Sequence, residues 1–470
     1  MLTLASPEPT RHCQGYSRRD FLRVGALGLG GLTLSSLLAV RARAAEAGRC
    51  LKDKAVVLLF LQGGPPHIET FDPKMSAPED VRSATGEVQT ALPGVTFGGT
   101  FPQMAKLADR LAVVRSFGSG NADHQNYLSV AGGGNELKAP MGTFYARVAG
   151  ANDPKTGMPT NVLVTPEAAS PGLKLGRNFE TQALPALAGP GQLGAAYAAF
   201  NPGASGDFQK DLEMKVPRER FDDRRELLRC FDDFRRGLDV SGTLEAAAPL
   251  EQQAYDMILR GAADAFDLSK EDPRTLERYD TTGLFRMEEW TKFENMRRTS
   301  NLLGKQMLLA RRLVEAGCGF VTVTDAGWDL HADSNSAPAL TAMTPLGGQV
   351  DHAVAAFLDD VKDRGLDDKI LLVITGEMGR TPRINKKGGR DHYADLTPLV
   401  FAGGGLKAGQ VIGQSDRLAA KPAAERYTPQ HLLATVMNVM FDVGEARISR
   451  ELPKAVSQVI ADGAPIPGLL

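Results

Sequence analysis

Six histidines follow residue 44, and three of them come soon after short apolar runs that read as strands. His67 lies beyond Leu61-Gln62-Gly63-Gly64-Pro65-Pro66, and His331 ends Asp325-Ala326-Gly327-Trp328-Asp329-Leu330-His331. His392 closes Gly389-Arg390-Asp391-His392, beyond the run that ends near Glu377, and His124 follows an earlier run by a longer loop. Asp329 and His331 are two positions apart, so an extended segment places both on one side. Glu377 and Asp391 add two carboxylates. A mixed imidazole and carboxylate set suits zinc, manganese or a similar divalent ion and needs no thiolate. Taken singly, each histidine has a plainer reading as a surface or hydrogen-bonded residue. His352 and His431 fall inside helical patterns and read as structural.

The loop from Gly379 to Arg390 carries five cations and no acid. Its glycine-flanked arginines, Arg380, Arg383 and Arg390, have the planar donor geometry that grips phosphate, sulfate or carboxylate bidentately. The other reading is a solvated basic loop, which suits Lys386 and Lys387 best.

Positioning these loops requires a sheet. Val56–Leu61, Leu111–Arg115, Asn161–Thr165, Phe320–Thr324, Ile370–Ile374 and Pro398–Phe401 are short runs rich in Val, Leu and Ile without strict alternation. That pattern suits strands buried on both faces of a parallel sheet. Amphipathic helical patterns such as Met307–Glu315 and Val350–Lys362 lie between them. The expected class is therefore α/β, a doubly wound, mostly parallel sheet flanked by helices. In such a sheet the loops leaving the carboxyl ends of the strands converge on the ligand crevice. The stretch 218–298 is highly charged, has no strand-like run, and reads as a helical insertion.

The chain has 54 Lys+Arg against 56 Asp+Glu, a net charge of −2, which gives no electrostatic ground for nucleic-acid binding. Four Cys in 470 residues, none in a CxxC pair, do not make a disulfide framework. Ser17-Arg18-Arg19-Asp20-Phe21-Leu22 precedes an uncharged, glycine-rich stretch and Ala42-Arg43-Ala44. This is the pattern of a twin-arginine export signal spanning 1–44, cleaved after Ala44. It predicts recognition by the twin-arginine export machinery, a periplasmic or extracellular mature domain at 45–470, and no stable membrane span after cleavage. An uncleaved N-terminal anchor is the alternative.

Several of these segments, in this order, resemble one bacterial family. They include the twin-arginine start, Leu-Gln-Gly-Gly-Pro-Pro-His67-Ile-Glu69-Thr-Phe-Asp72-Pro-Lys, Leu-Ala-Asp-Arg-Leu-Ala-Val-Val-Arg115-Ser116 and Gly327-Trp328-Asp329-Leu-His331. Gly376-Glu377-Met-Gly379-Arg380-Thr381-Pro382-Arg383-Ile and Gly-Gly-Arg390-Asp391-His392 complete the set. The chain resembles the domain-of-unknown-function family fifteen-oh-one, a sulfatase-like branch of the alkaline phosphatase superfamily, from about Ser17 to its end. The resemblance implies an alkaline-phosphatase-like sheet with a divalent-metal site at its carboxyl edge. Asp329 and His331 look like the superfamily's first metal element with shortened spacing, and His392 looks like its last histidine. Gly376-Glu377 stands where an Asp-His pair is usual, which leaves one carboxylate and no imidazole.

The superfamily's nucleophile has no clear counterpart. Gly120-Asn121-Ala122-Asp123-His124 looks like the Gly-Asn-Ser stretch of metal-dependent phosphoglycerate mutases, with Ala122 in place of the serine. Ser119 and Ser116 are nearby substitutes. No Cys or Ser stands in the pattern that makes formylglycine, so an ordinary formylglycine sulfatase is excluded. Three functions follow as expectations. The first is metal-dependent hydrolysis of phosphate or sulfate esters. There Asp329, His331, Glu377, His392, His67 and Asp391 supply metal ligands, Ser119 or His124 takes part in catalysis, and Arg380, Arg383 and Arg390 hold the anion. The ion is zinc, manganese, magnesium or calcium, and the ligand a small anionic ester. The second is a non-catalytic relative that binds a glycan or an envelope component. The third is a structural envelope protein associating through 218–298.

Overall fold

The computed structural model describes residues 50–177, 179–204, 220, 253–255, 257–258 and 262–470. The expected leader at 1–44 lies outside them, as does nearly half of the expected insertion at 218–298. The described part of that stretch, from 262, holds only short helices such as Ala263–Phe266 and Pro273–Arg278.

All six runs read as strands form strands of one seven-stranded sheet. In chain order the main strands are β1 (Ala55–Gln62), β4 (Leu111–Val114), β5 (Asn161–Val164), β6 (Phe320–Ala326), β7 (Ile370–Thr375), β10 (Val400–Gly403) and β11 (Gln410–Ile412). Two small antiparallel pairs stand apart from it: β2 (Glu87–Gln89) with β3 (Thr96–Gly98), and β8 (Gly379–Arg380) with β9 (His392–Tyr393). The sheet order is β11-β4-β10-β7-β1-β6-β5. Every pairing in it is parallel except those of β10, which runs antiparallel to both β4 and β7. The connection explains that exception. A parallel return needs a crossover, usually a helix. From β7 the chain instead makes the β8–β9 hairpin and re-enters the sheet at the edge it has just left, so β10 must run backwards.

Helices cover both faces, as the apolar runs require. Ala55, Val57, Leu59 and Leu61 of β1 pack on one side with α2 (Leu303–Glu315) and α3 (Ala339–Asp363). Val56, Leu58 and Phe60 pack on the other with α1 (Met141–Ala149) and α4 (Pro429–Met440). α3 starts well before the expected Val350 and holds Pro345 in its interior. Burial of Ala342, Met343, Leu346 and Val350 offsets the local cost of that proline. His431 caps α4, where its Nδ1 accepts from the Thr428 amide at 3.2 Å, a structural role. Cys318 is a buried free thiol, Cys50 is also buried, and Cys230 lies outside the described residues. Among the described residues no helix is long and apolar enough to cross a membrane.

A buried ion network ties α2 and α3 to the segment that carries Glu271 and Tyr279. Arg311 pairs with Asp360 at 2.9 Å, Glu271 at 2.7 Å and Glu315 at 2.6 Å, while the Tyr279 hydroxyl donates to Asp360 at 3.0 Å. Removing the central cation leaves buried carboxylates behind, which typically costs about 3–5 kcal/mol. Arg312 still reaches Glu271 and Arg364 still reaches Asp360, so Arg311→Met is expected at the lower end, about 3 kcal/mol by urea unfolding.

Asp325 near the end of β6 gives a pH signature. Burial pushes its carboxyl up to about 7, although the Trp328 indole N–H donates to it at 2.8 Å. The folded state then holds a proton more tightly than the unfolded chain. Its stabilising contribution is full below the unfolded value near 4 and is lost as pH rises through about 7. Wild type should therefore lose on the order of a few kcal/mol between pH 5 and pH 8 from this group. Asp325→Asn should show a flatter trend in urea midpoints at the two values.

Candidate metal centre

The carboxyl edge of the sheet gathers polar groups from four connections. Beyond β1 comes Gly63, beyond β4 His124, beyond β6 Asp329 and His331, and beyond β7 Glu377. His392 arrives on β9, ahead of the reversed β10, and so reaches the same edge from the opposite chain direction. Gly63 has φ +113°, and a Cβ there would collide with the Asp329 amide nitrogen. Only glycine lets the β1 loop pass this close to Asp329.

Asp329 is the hub. It is 1% exposed, and its Oδ1 faces the Arg380 guanidinium, His392 Nε2 at 3.3 Å and His124 Nε2 at 3.5 Å. Its Oδ2 accepts from His331 Nε2 at 3.0 Å and Asn295 Nδ2 at 2.5 Å. Burial alone would raise its carboxyl, but Arg380 and the three imidazoles outweigh that and hold it far below the usual carboxylate range. For His124, burial works to lower the imidazole, yet Asp329 and Glu377 together push it up to about 9.

One ligand atom each from His124, Asp329 and His392 lies within 4.8 Å of the others, the one such group found among the described residues. Two imidazoles and a carboxylate make a donor set for zinc, manganese or iron-like ions. The outer shell fits too. His124 Nδ1 lies 3.0 Å from Glu377 Oε1, and His392 Nδ1 lies 3.0 Å from the Ala122 carbonyl. Each contact turns the other ring nitrogen, Nε2, towards Asp329, the usual way that proteins orient metal-binding histidines. Glu377 Oε1 also accepts from the Gly63 amide at 2.8 Å, whereas its buried Oε2 has no hydrogen-bond partner among the described residues. These residues fit a single divalent ion. His124 must give up its Nε2 proton for an ion to bind, so ion and proton compete for that nitrogen.

The sequence comparison decides the family. A family model described as "Protein of unknown function (DUF1501)" matches residues 53–446. The chain belongs to the DUF1501 family. No curated protein matches it. Among solved structures, a sulfatase from Pseudoalteromonas sp. is similar at 13% identity and TM-score 0.32, over 85% of this chain and 70% of that one. A phosphonate monoester hydrolase from Silicibacter pomeroyi is similar at 12% and 0.37, over 88% and 78%. A lipoteichoic acid synthase from Listeria monocytogenes is similar at 10% and 0.32, over 89% and 81%. Likenesses this weak carry no inference about activity.

The other site candidates of this DUF1501 chain fall in different places. His331 lies on the far oxygen of Asp329, with its Nδ1 3.1 Å from Asp333, outside the three-residue group. Glu377 stands behind His124, where its Oε1 orients the ring. His67 is buried with its Nε2 2.9 Å from the Ala419 carbonyl, and burial lowers it to about 4, so it is neutral. Asp391 is exposed and accepts from Asn385 at 2.9 Å. Ser119 donates its hydroxyl to the Asn121 carbonyl at 2.9 Å.

The three arginines expected to hold an anion part company. Arg390 is fully buried against Glu69 at 2.7 Å and also donates to the Val81 and Arg82 carbonyls. Its donors serve the fold, because a charge buried this deeply must be paired. Arg380 is equally buried, on Asp329 and the Gly63 and Gly64 carbonyls. Arg383 is exposed and pairs with Asp80.

Two contributors escaped the sequence reading. Asn126, two residues after His124, donates to the Glu377 carbonyl at 3.0 Å, and its proximity was the available signal. Asn295 sits 34 residues before Asp329, in a stretch read only as charged and helical, and nothing local marked it.

Proposed function

We propose that this chain is an exported, metal-dependent hydrolase-like protein that acts on phosphate or sulfate esters in the periplasm or outside the cell. The observation that carries this reading is the convergence of His124, Asp329 and His392 from three separate connections. Export rests on Arg18-Arg19 and the segment behind them. A divalent ion held by these three residues would supply Lewis-acid activation of a phosphoryl or sulfuryl oxygen. Glu377 orients His124, the Ala122 carbonyl orients His392, and Arg380 balances part of the negative charge of Asp329. Neither Ala122 nor Ser119 offers a free hydroxyl: Ala122 gives its carbonyl to His392, and the Ser119 hydroxyl is turned to Asn121. Water is then the attacking group.

Arg380 also favours a second reading. A buried guanidinium on Asp329 Oδ1 already neutralises the carboxylate that an ion would need. In that case the chain is a non-catalytic relative that binds a glycan or envelope component. A panel of phosphate and sulfate esters separates the two, run on mature protein loaded in turn with zinc, manganese, magnesium and calcium. Turnover that falls to background in His392→Ala supports the hydrolase. Metal-loaded protein inert on the whole panel, but retaining affinity for a glycan, supports the binding protein.

A further inference from the structure

Behind the metal centre, at the ends of β1 and β7, three buried polar atoms have no hydrogen-bond partner among the described residues: Gln62 Nε2, Thr375 Oγ1 and, just beyond β7, Glu377 Oε2. Their residues are 1%, 0% and 0% exposed. The sheet register places them together. Phe60 is the cross-strand partner of Thr375, and Gln62 lies two residues beyond Phe60 on the same face. That face is the one carrying Val56, Leu58 and Phe60 of β1 with Leu371 and Val373 of β7. Phe60 stacks on Tyr127 at 5.4 Å, and the neighbouring Asn126 reaches the Glu377 carbonyl. Gln62 and Thr375 therefore lie on one face of the sheet beside that aromatic pair, at the strand ends where the Gly63 amide meets Glu377 Oε1. Unpartnered buried polar groups are costly, and three clustered in one place are unusual in a folded protein.

We infer that Gln62, Thr375 and Glu377 share one internal water, and that this water holds the Glu377 carboxylate in the orientation that presents Oε1 to His124. The chemistry of the three groups matches a single water. It accepts from Gln62 Nε2 and from the Thr375 hydroxyl and donates to Glu377 Oε2, giving the three bonds typical of a buried water. Glu377 is then fixed at both oxygens, Oε1 by the Gly63 amide and His124, Oε2 by the water. Gln62 and Thr375 become positioning residues for His124, although neither touches it. The positioning half of this inference rests on the metal-centre reading; the water itself does not.

The test uses the mature protein and its Thr375→Val and Thr375→Ser variants. Val keeps the shape of Thr and deletes the hydroxyl. A bridged hydroxyl predicts a lower urea midpoint for Thr375→Val, whereas a dry, unpaired hydroxyl predicts an equal or higher one, and that result would overturn the water. A high-resolution crystal structure of metal-free protein should show one peak at hydrogen-bond distance from all three atoms. A dry space there, or a peak with contacts of about 2.0–2.6 Å marking a cation, overturns it equally. Cobalt titration reads the positioning role. Thr375→Val should bind Co2+ about 10-fold more weakly than wild type, while Thr375→Ser retains wild-type affinity. Equal affinity in wild type and Thr375→Val would remove the positioning role. If wild type itself binds no Co2+, the metal-centre reading fails, and the midpoints and density still decide the water.

Discussion

Asp329→Asn is expected to lose bound divalent ion altogether and to be less stable than wild type by about 3–5 kcal/mol. Both effects come from one carboxylate. Asp329 supplies the oxygen ligand of the three-residue group, and the same Oδ1 neutralises Arg380, which is fully buried. With Asn in place, Arg380 keeps only neutral carbonyl partners, those of Gly63, Gly64 and Arg390. An uncompensated buried charge is among the costliest defects that a single substitution makes. Urea unfolding of metal-free protein measures the stability term without interference from ion binding. Adding Arg380→Met to Asp329→Asn should recover a large part of the loss, because the stranded charge goes with it. A metal-free Asp329→Asn protein within about 1 kcal/mol of wild type would show that Arg380 is not held by this pair.

Substituting the histidines separates the two ways of drawing the centre. His392→Ala should weaken Co2+ or Zn2+ binding by more than about 100-fold, since losing a ligand costs more than the 10- to 100-fold typical of outer-shell losses. The His392 side chain is one-third exposed, so its stability should change by less than about 1 kcal/mol. His331→Ala should stay within about tenfold of wild type for the same ions, because its Nε2 lies on the other oxygen of Asp329. Isothermal titration of both variants makes the comparison. A large loss in His331→Ala with little loss in His392→Ala would restore Asp329-x-His331 as the ligand element and displace the arrangement described above.

Much of the frame was legible because it is local. Runs such as Val56–Leu61 and Ile370–Ile374 are too short and too uniformly apolar for anything but strands buried on both faces. Loops leaving the ends of such strands must meet at one edge, which is how His124, Asp329, Glu377 and His392 were brought into one account. The direction of β10 was not legible, since a run such as Pro398–Phe401 looks the same whichever way it runs. It depends on whether the chain crosses over or turns back, and the β8–β9 hairpin that decides this is two residues per strand.

Within the site, residue type told which groups were present but not which atom each one faces. Glu377 and His124 both read as polar groups at strand ends. That Glu377 orients His124 depends on a 3.0 Å contact across 253 positions of sequence. Arg380 and Arg390 stand in a loop rich in cations and glycine, which reads as exposed and anion-binding. Their burial follows from partners far away in sequence, Asp329 and Glu69, that no local pattern connects to them.

The central claim is that His124, Asp329 and His392 hold one divalent ion. Elemental analysis of a protein spanning residues 45–470, prepared without chelators or a histidine tag, tests it directly beside His392→Ala. The account predicts about one zinc, manganese or similar ion per wild-type chain, in keeping with a site of three protein ligands, and almost none in the variant. Metal-free wild-type protein that also fails to take up zinc, manganese, magnesium or calcium on dialysis would contradict it and leave the centre as a buried ion-pair cluster.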